Sequence, residues 1–484
     1  MTDVVTVPWV LFAIIALLAA VALLEHVVLP ALRFVASSSA EKLIEEVSAR
    51  LRIGIRPFQR TKRRVLIDRL LYDPKVQEAA QAFATANGIP LETAHAVIER
   101  YARETVPAFN AYLYFRIGYW VGRRVAQALY RVRLGYVDTE GLARIDPDAT
   151  VVFVMNHRSN MDYILAGYLA ADQAALSYAV GEWARIWPLS HLIRSMGAYF
   201  VRRNSKDELY RKVLERYIAM ATEAGVPQAV FPEGGLSRDG RMREPRLGVL
   251  DYMLRGFRPD AGRDVVFVPL GINYDRVLED RTLLLSGNPE AARTGAAKAA
   301  TGTLRFIGRN LRLLMRSEWH RFGYACVNFG SPVSMRAYCR ARGIDFSALD
   351  PTERKARMAE LGADLMGAVG AVVPVLPVPL MATVFTRHPG RGLSVLEIKA
   401  EVGTILAELE RAAAHVYVPR RDLDDALDVG LRMLRLRHLV DEDEGLYCAR
   451  LEELPVLRYY ANSIAHLLPT VGYLPSAGVA PPAA

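Results

Sequence analysis

The 484-residue chain has little cysteine, and none of it lies in a pattern that suggests a cross-link or a metal ligand. Its three cysteines form no C-x-x-C pair and no even framework, which excludes a small disulfide-stapled domain and favours a reducing compartment. Clusters of His, Asp or Glu at ligand spacing are also absent, so no metal site is expected. The cysteines are Cys326, Cys339 and Cys448.

Acidic residues are the minority charge. The chain has 61 Lys and Arg against 52 Asp and Glu, for a net charge of +9. Such a surface attracts nucleic acid, anionic lipid or phosphorylated substrates. No nucleic-acid-binding motif or basic tail accompanies the charge, so lipid and phosphate are the favoured partners and nucleic acid is not expected.

Long apolar runs are scarce, and the longest, at residues 7–24, carries no charge. Its length is near the minimum for a membrane-spanning helix. Asp3 precedes it, while the flank that follows is rich in Arg and Lys, which places the N-terminus outside and the remaining chain in the cytoplasm. A cleaved signal peptide and a buried core helix are the alternatives, and the first lacks the usual basic start. We therefore predict a membrane anchor over residues 1–35.

The rest of the chain divides into regions that differ in composition and in the periodicity of their apolar residues. A helical region is predicted over 36–145, and its last part mixes aromatic and Arg side chains as bilayer-interface helices do, although a helix packed on the next domain fits as well. After Pro332 the chain returns to helical patterns, interrupted by the proline-rich 372–379, which predicts a C-terminal helical region over 346–474. The small, proline-rich 475–484 is expected to be disordered.

Between these regions, at 146–345, short β-branched runs alternate with helical stretches. The pattern predicts an α/β domain with a mostly parallel sheet flanked by helices. Within it, residues 303–319 form a basic amphipathic helix that suits either anionic lipid, an acidic carrier protein or plain solvent. The predicted strands are 150–155, 228–231, 264–270 and 325–329.

His157 and Asp162 carry the most chemistry in this domain. A spacing of five cannot bring two side chains together on one helix, so His157 must lie on the loop after the strand and Asp162 in the first turn of the next helix. The carboxylate then holds one imidazole nitrogen and leaves the other free as a base. Ser159 and Asp162 are equally consistent with a capping box that only satisfies backbone N–H groups.

Three further segments follow in order: GAYFVRR at 197–203, VFPEGGLSRDGR at 230–241 and VFVPLGINYDRV at 266–277. Together with N-H-x4-D, they resemble the glycerolipid acyltransferases, and most closely the bacterial and mitochondrial glycerol-3-phosphate acyltransferase branch. The arginine that this branch carries after E-G-G is replaced here by Leu236.

The resemblance implies the glycerolipid acyltransferase fold and a direct acyl transfer at the cytoplasmic face of a bacterial-type inner membrane. The donor would be acyl-CoA or acyl carrier protein, the acceptor glycerol 3-phosphate, and no cofactor would be needed. Because of Leu236, a lysophospholipid or another glycerol-like acceptor is the alternative. The matching positions make His157 the base and Asp162 its partner, and the substrate-binding residues Arg202, Arg203, Glu233, Gly234, Gly235, Arg238 and Arg241.

Other functional classes fit the residues less well. Ser237 is not a hydrolase nucleophile, because G-x-S-x-G fails at Asp239. A metal-dependent phosphohydrolase lacks further ligand clusters. A catalytically idle lipid-binding protein with the same fold remains open, although it would be free to lose His157, Asp162 and Glu233.

Overall fold

The computed structural model describes residues 55–170, 175–180, 189–202, 205–286, 322–417 and 423–468. The described N-terminal part is helical, as predicted. Asp73 caps one of its helices by accepting hydrogen bonds from two backbone N–H groups, and Gly88 ends the same helix with φ +62°, a conformation that glycine adopts without strain. The helices are α1 (Pro57–Arg60), α2 (Arg63–Leu71), α3 (Pro74–Asn87), α4 (Leu91–Thr105) and α5 (Tyr119–Leu129), the last preceded by a π-helical turn (Leu113–Gly118).

An α/β region follows, and its strands form one sheet in the order β1-β7-β6-β2-β5-β3-β4, with β8 beside β6. Five of the strands run parallel, while β7 and β8 are antiparallel to β6 and β1 is parallel to β7. The elements are β1 (Arg131–Val137), α6 (Thr139–Ala143), β2 (Thr150–Met155), α7 (Met161–Ala170), β3 (Ser177–Val180), α8 (Leu189–Ser195), β4 (Ala198–Phe200), α9 (Glu208–Glu223), β5 (Gln228–Val230), α10 (Gly248–Leu254), β6 (Val265–Tyr274), α11 (Asp280–Ser286), β7 (Tyr324–Phe329) and β8 (Val333–Ser334).

The sheet is covered on both faces, which confirms the predicted α/β class. Every residue of β2 is buried, and successive side chains enter different cores. Phe153 packs with α7 in one core, whereas Val152 and Val154 pack with α4 and α9 in the other. A strand buried on both sides reads as a continuous apolar run, and this is why residues 150–155 were recognisable in the sequence.

The helical prediction for 36–145 is wrong at its end, because residues 131–137 form β1. This strand lies at the edge of the sheet and pairs with β7 from Arg131 opposite Tyr324 onward. Its side chains are mostly exposed, so it lacks the apolar pattern that identifies an inner strand. These residues form a strand because they pair with β7, which is far away in the sequence. The sheet therefore begins at Arg131, earlier than the predicted domain boundary at 146.

The C-terminal region is largely helical, as predicted, but it also contains a small three-stranded antiparallel sheet in the order β10-β11-β9. Its helices cover both faces of the main sheet, since α13 joins one core while α14 and α17 join the other. The elements are α12 (Met335–Arg342), α13 (Pro351–Ala371), α14 (Pro377–Arg387), β9 (Leu393–Ser394), α15 (Val395–Arg411), α16 (Leu423–Leu436), β10 (Val440–Asp443), β11 (Leu446–Ala449), α17 (Leu454–Asn462) and two 3₁₀ turns, Leu451–Glu453 and Ala465–Leu467.

The sequence suggested that the proline-rich run 372–379 excludes regular helix, but part of this run is helical. Helix α14 begins at Pro377, and both Pro377 and Pro379 lie in its first turn. Proline is tolerated there because the first backbone N–H groups of a helix have no intrahelical partner. Asp275, from the end of β6, accepts the N–H of Val378 at 3.0 Å and so caps this helix from outside.

Three predicted segments lie outside the described residues: the anchor at 1–35, the basic helix at 303–319 and the tail at 475–484. Within the ranges that the structure describes, no helix combines the length and the apolar character needed to span a bilayer.

Asp275 generates a prediction about stability. It is fully buried and also accepts the N–H of Tyr324 at 2.7 Å, and burial raises its pKa to about 7. The folded protein thus keeps a proton that an unfolded chain releases near pH 4. The contribution of this proton to the free energy of unfolding is therefore fully present below about pH 4 and is lost as pH rises through 7. We expect roughly 3 to 4 kcal/mol of decline over that window.

Asp275→Asn cannot titrate, so the difference in unfolding free energy between wild type and variant should narrow as pH rises from 4.5 to 7.5. Chemical unfolding of the full chain at several pH values measures this difference. A difference that stays constant with pH would contradict the assigned titration.

Candidate active site

His157 and Asp162 meet where β2 ends and α7 begins, as the sequence predicted. The imidazole Nδ1 lies 2.9 Å from a carboxylate oxygen of Asp162, and both side chains are buried. An Nδ1 held by a carboxylate carries the proton, which leaves Nε2 with its lone pair. The arrangement is therefore that of a general base with its orienting partner.

Asp162 also caps the helix, so the two alternatives offered by the sequence are both realised in one carboxylate. The oxygen that contacts His157 also accepts the backbone N–H groups of Arg158 at 2.7 Å and Ser159 at 3.0 Å. Its other oxygen accepts the hydroxyl of Tyr274 at 2.5 Å. The contacts that satisfy the start of α7 are thus the ones that fix the orientation of the imidazole partner.

Glu233 holds the main chain of the catalytic loop. One carboxylate oxygen accepts the N–H of His157 at 2.8 Å, and the other accepts the N–H of Arg243 at 3.0 Å. The side chain is buried, which raises the pKa of its carboxyl, and the nearby Arg158 cation opposes this rise. The N–H of Ser237 in turn donates to the carbonyl of His157 at 3.0 Å. The E-G-G loop and the histidine loop are therefore one hydrogen-bonded unit.

The glycines of this loop allow a tight turn. Gly234 has φ +66°, a conformation that glycine adopts without strain. A Cβ at this position would lie 2.4 Å from Cδ of Arg246, so a larger residue would displace the Arg246 side chain. Gly235 is buried and Leu236 is half-buried. The hydroxyl of Ser237 donates to the carbonyl of Arg241 at 2.6 Å, so its hydrogen bond stabilises the loop.

The arginines predicted to bind substrate fall into different settings. Arg203 lies outside the described residues. Arg202 forms a two-pronged ion pair with Glu104 of α4, at 2.8 and 2.6 Å, and its guanidinium lies over the rings of Tyr101 and Tyr210. That pair therefore ties the end of β4 to the N-terminal helices. Arg238 is exposed and Arg241 is half-buried, both on the loop that follows Glu233.

Arg158 is a member of the site that sequence reasoning missed. Its side chain is 1% exposed and donates to the carbonyls of Gly240 and, at 3.2 Å, Ser463. Asn462 also donates from its side chain to the carbonyl of Asp239 at 2.9 Å. The C-terminal end of α17 is thus attached to both the histidine loop and the glutamate loop. A charged residue directly beside His157 was the available signal, but its partners are too far away in the sequence to be inferred.

Two aromatic rings border the imidazole. The ring centroid of Phe231 lies 4.2 Å from that of His157, and the centroid of Tyr163 lies 5.4 Å away. Both aromatic residues are half-buried, while His157 is 2% exposed. Across the described ranges, no three His, Cys, Asp or Glu side chains converge as metal ligands would.

Two family models match the chain. Residues 136–273 match the family model described as acyltransferase, and residues 309–475 match the model of the glycerol-3-phosphate acyltransferase C-terminal region. The chain thus carries an acyltransferase domain followed by a glycerol-3-phosphate acyltransferase C-terminal region. This confirms the resemblance seen in the motifs, and the second match covers α17, the helix that is attached to the catalytic loops.

Curated relatives of this chain include several bacterial proteins named glycerol-3-phosphate acyltransferase. That of Pseudomonas putida is 28% identical over 426 residues, covering 84% of this chain and 49% of the relative. That of Aeromonas hydrophila is 28% identical over 420 residues, covering 84% and 50%. The chain therefore spans about half the length of the curated relatives it matches. Among solved structures, the 1-acyl-sn-glycerophosphate acyltransferase of Thermotoga maritima is 17% identical with a TM-score of 0.30, covering 52% of this chain and 78% of that one.

Proposed function

We propose that the protein is an O-acyltransferase that transfers an acyl group from a thioester donor, acyl-CoA or acyl carrier protein, to position 1 of glycerol 3-phosphate. The observation that carries the proposal is the buried His157–Asp162 pair, in which Nδ1 is occupied and Nε2 is left as the base. The relatives named glycerol-3-phosphate acyltransferase support the choice of acceptor.

The chemistry requires no covalent enzyme intermediate. As the acceptor hydroxyl oxygen attacks the thioester carbonyl carbon, His157 Nε2 takes the hydroxyl proton, and Asp162 stabilises the imidazolium that forms. The tetrahedral intermediate then collapses with cleavage of the C–S bond. The imidazolium returns its proton to the departing sulfur, which yields an ester, a free thiol and a neutral histidine.

The acceptor phosphate is assigned to Arg203. Its neighbour Arg202 is engaged by Glu104, so Arg203 is the arginine of the motif that we assign to the phosphate. An arginine fork suits a phosphate dianion. Arg238 and Arg241 lie on the loop after Glu233 and take the place of the family arginine that Leu236 replaces.

We also propose that the protein is held at the cytoplasmic face of an inner membrane by an anchor within residues 1–35 and by one face of α5. That face exposes Trp120, Val121 and Val125, with Arg124 over the Trp120 ring and Arg123 beside them. The opposite side of α5 packs on α7 through Gly122 and Ala126. An aromatic and apolar surface with flanking arginines suits an anionic lipid surface.

His157→Ala tests the reaction. The variant should lose about 10²- to 10⁴-fold in acyl transfer, since this is the usual contribution of a general base, while it keeps the unfolding temperature of the wild type within a few degrees. The assay uses the full chain with labelled palmitoyl-CoA against glycerol 3-phosphate, dihydroxyacetone phosphate and lysophosphatidate. Turnover near the wild-type level would rule out the mechanism, and transfer to lysophosphatidate alone would favour the lysophospholipid alternative.

Arg203→Ala tests the phosphate contact, with Arg202→Ala as the matched neighbour. Loss of a charge-assisted fork costs about 1.5 to 3 kcal/mol, so Arg203→Ala should raise the KM for glycerol 3-phosphate by about ten- to a hundredfold and leave that for the acyl donor nearly unchanged. Arg202→Ala should instead lower the unfolding temperature by breaking the Glu104 pair. If the two variants exchange these effects, the assignment is wrong.

The membrane face of α5 is tested on the full chain reconstituted in vesicles. An environment-sensitive fluorophore on Trp120→Cys should shift to the blue and be quenched by lipid-borne quenchers with anionic vesicles, and less so as salt rises. Leu396→Cys, on an exposed apolar position of α15, is the control and should respond to neither. Both variants carry Cys448→Ser to remove the partly exposed thiol. Equal responses at the two positions would exclude this face as the contact.

A further inference from the structure

Two groups beside the His157–Asp162 pair, one buried and one half-buried, have no role in the mechanism described so far. The buried Tyr274 lies at the end of β6, and the half-buried Glu279 precedes α11 by one residue. Tyr274 contacts Asp162, Glu279 contacts Ser159 and Asn160 before α7, and neither adjoins His157 in the sequence. Their contacts suggest that they have opposite effects on the protonation of His157.

Tyr274 withdraws electron density from the Asp162 carboxylate. Its hydroxyl donates to the Asp162 oxygen that does not face His157, at 2.5 Å, and the side chain is fully buried. Burial and the Asp162 charge raise the pKa of this hydroxyl well above its usual value, so it stays a donor. A donor on the carboxylate weakens the support that the carboxylate gives to a protonated imidazole.

Glu279 adds negative charge near Asp162, at the start of α7. Its carboxylate accepts the Ser159 hydroxyl at 2.8 Å, and the backbone N–H and side-chain amide of Asn160 at 3.2 and 3.0 Å. The backbone N–H of Ser159 donates to Asp162 while its hydroxyl donates to Glu279, so one residue joins the two carboxylates. Burial raises the pKa of the Glu279 carboxyl, the hydrogen bonds from Ser159 and Asn160 oppose this rise, and the charge of Asp162 adds to it. A second carboxylate near Asp162 favours the positive charge that His157 gains during catalysis.

We propose that Tyr274 and Glu279 are positioning residues that set, in opposite directions, how readily the His157–Asp162 pair takes up the substrate proton. The inference rests on the proposed acyl transfer for its kinetic consequence, but not for its effect on the imidazole itself. It gives Tyr274, in the segment 266–277, and Glu279, two residues after that segment, a function through Asp162 rather than through substrate.

The geometry allows charge to be changed with little displacement. In Tyr274→Phe, the Asp162 carboxylate is still held by His157 and by the backbone N–H groups of Arg158 and Ser159. In Glu279→Gln, the amide oxygen can still accept from Asn160 while its NH₂ group donates to the Ser159 hydroxyl oxygen. Both substitutions therefore alter electrostatics more than position.

Other ionisable groups lie near His157, Arg158, Tyr274 or Glu279, or contact a group that does, and remain unchanged in both variants. They are Arg158 and Tyr163 near the start of α7, Glu233 after β5, Tyr130 before β1, and Tyr459, Tyr460 and His466 from the C-terminal segment. Tyr130 supplies a matched control. Its ring packs against Tyr274, with centroids 5.3 Å apart, but its hydroxyl donates to the carbonyl of Arg276 at 2.8 Å and not to Asp162.

The test measures the acid limb of the kcat/KM profile, where protonation of His157 removes the base. Tyr274→Phe should move this limb upward by about half a pH unit or more, and Glu279→Gln should move it downward by a similar amount, with the KM for the acyl donor unchanged in both. The double variant should return toward the wild-type position. Tyr130→Phe should keep the wild-type limb while losing a comparable buried hydroxyl.

The imidazole is also titrated directly, by NMR of ring-labelled histidine in the full chain without substrate, with His157→Ala used to assign the resonance. Shifts of opposite sign in Tyr274→Phe and Glu279→Gln support the inference even if the wild type acylates none of the acceptors tested, in which case only the proposed function fails. Shifts of the same sign, wild-type titration in both variants, or an equal shift in Tyr130→Phe would overturn it.

Discussion

The hydrogen bonds to the carboxylate of Asp162 are the interaction on which the site depends. This one group joins the imidazole of His157, two backbone N–H groups at the start of α7 and the hydroxyl of Tyr274 from β6. A buried carboxylate is costly unless its oxygens are satisfied, and here the fold itself provides the donors. The strand, loop and helix that carry the pair are thus stabilised by the same contacts that prepare it for catalysis.

The catalytic loops also depend on the C-terminal region. Arg158 is a fully buried cation whose guanidinium donates to carbonyls of two distant segments, at Gly240 and Ser463. A Cβ on Gly240 would lie 1.8 Å from the carbonyl oxygen of Tyr459, so the glutamate loop and α17 approach as closely as a glycine allows. Since a buried charge must keep its partners, this contact makes the C-terminal helix part of the active-site framework rather than an appendage.

Arg202 links two parts of the fold. It joins α4 to the end of β4 through its ion pair with Glu104, and its guanidinium lies over the rings of Tyr101 and Tyr210. Because Glu104 engages Arg202, this arginine of the motif stabilises the packing of the N-terminal helices on the sheet.

Sequence reasoning succeeded where the contacts are local and failed where they are not. The β2–loop–α7 unit is contiguous, so a spacing of five residues was enough to place His157 against Asp162, and the doubly buried β2 was visible as an apolar run. The exposed edge strand β1, the helix that begins at Pro377 and the partners of Arg158 were not predictable. Each depends on a group that only the folded chain brings near: β7, Asp275 and Ser463. The sequence alone determined the fold class and the contact between His157 and Asp162, because strand periodicity and helix geometry act over a few residues. Only the tertiary structure decided how that pair is supported, because Tyr274, Glu279 and Arg158 act through contacts between segments more than a hundred residues apart.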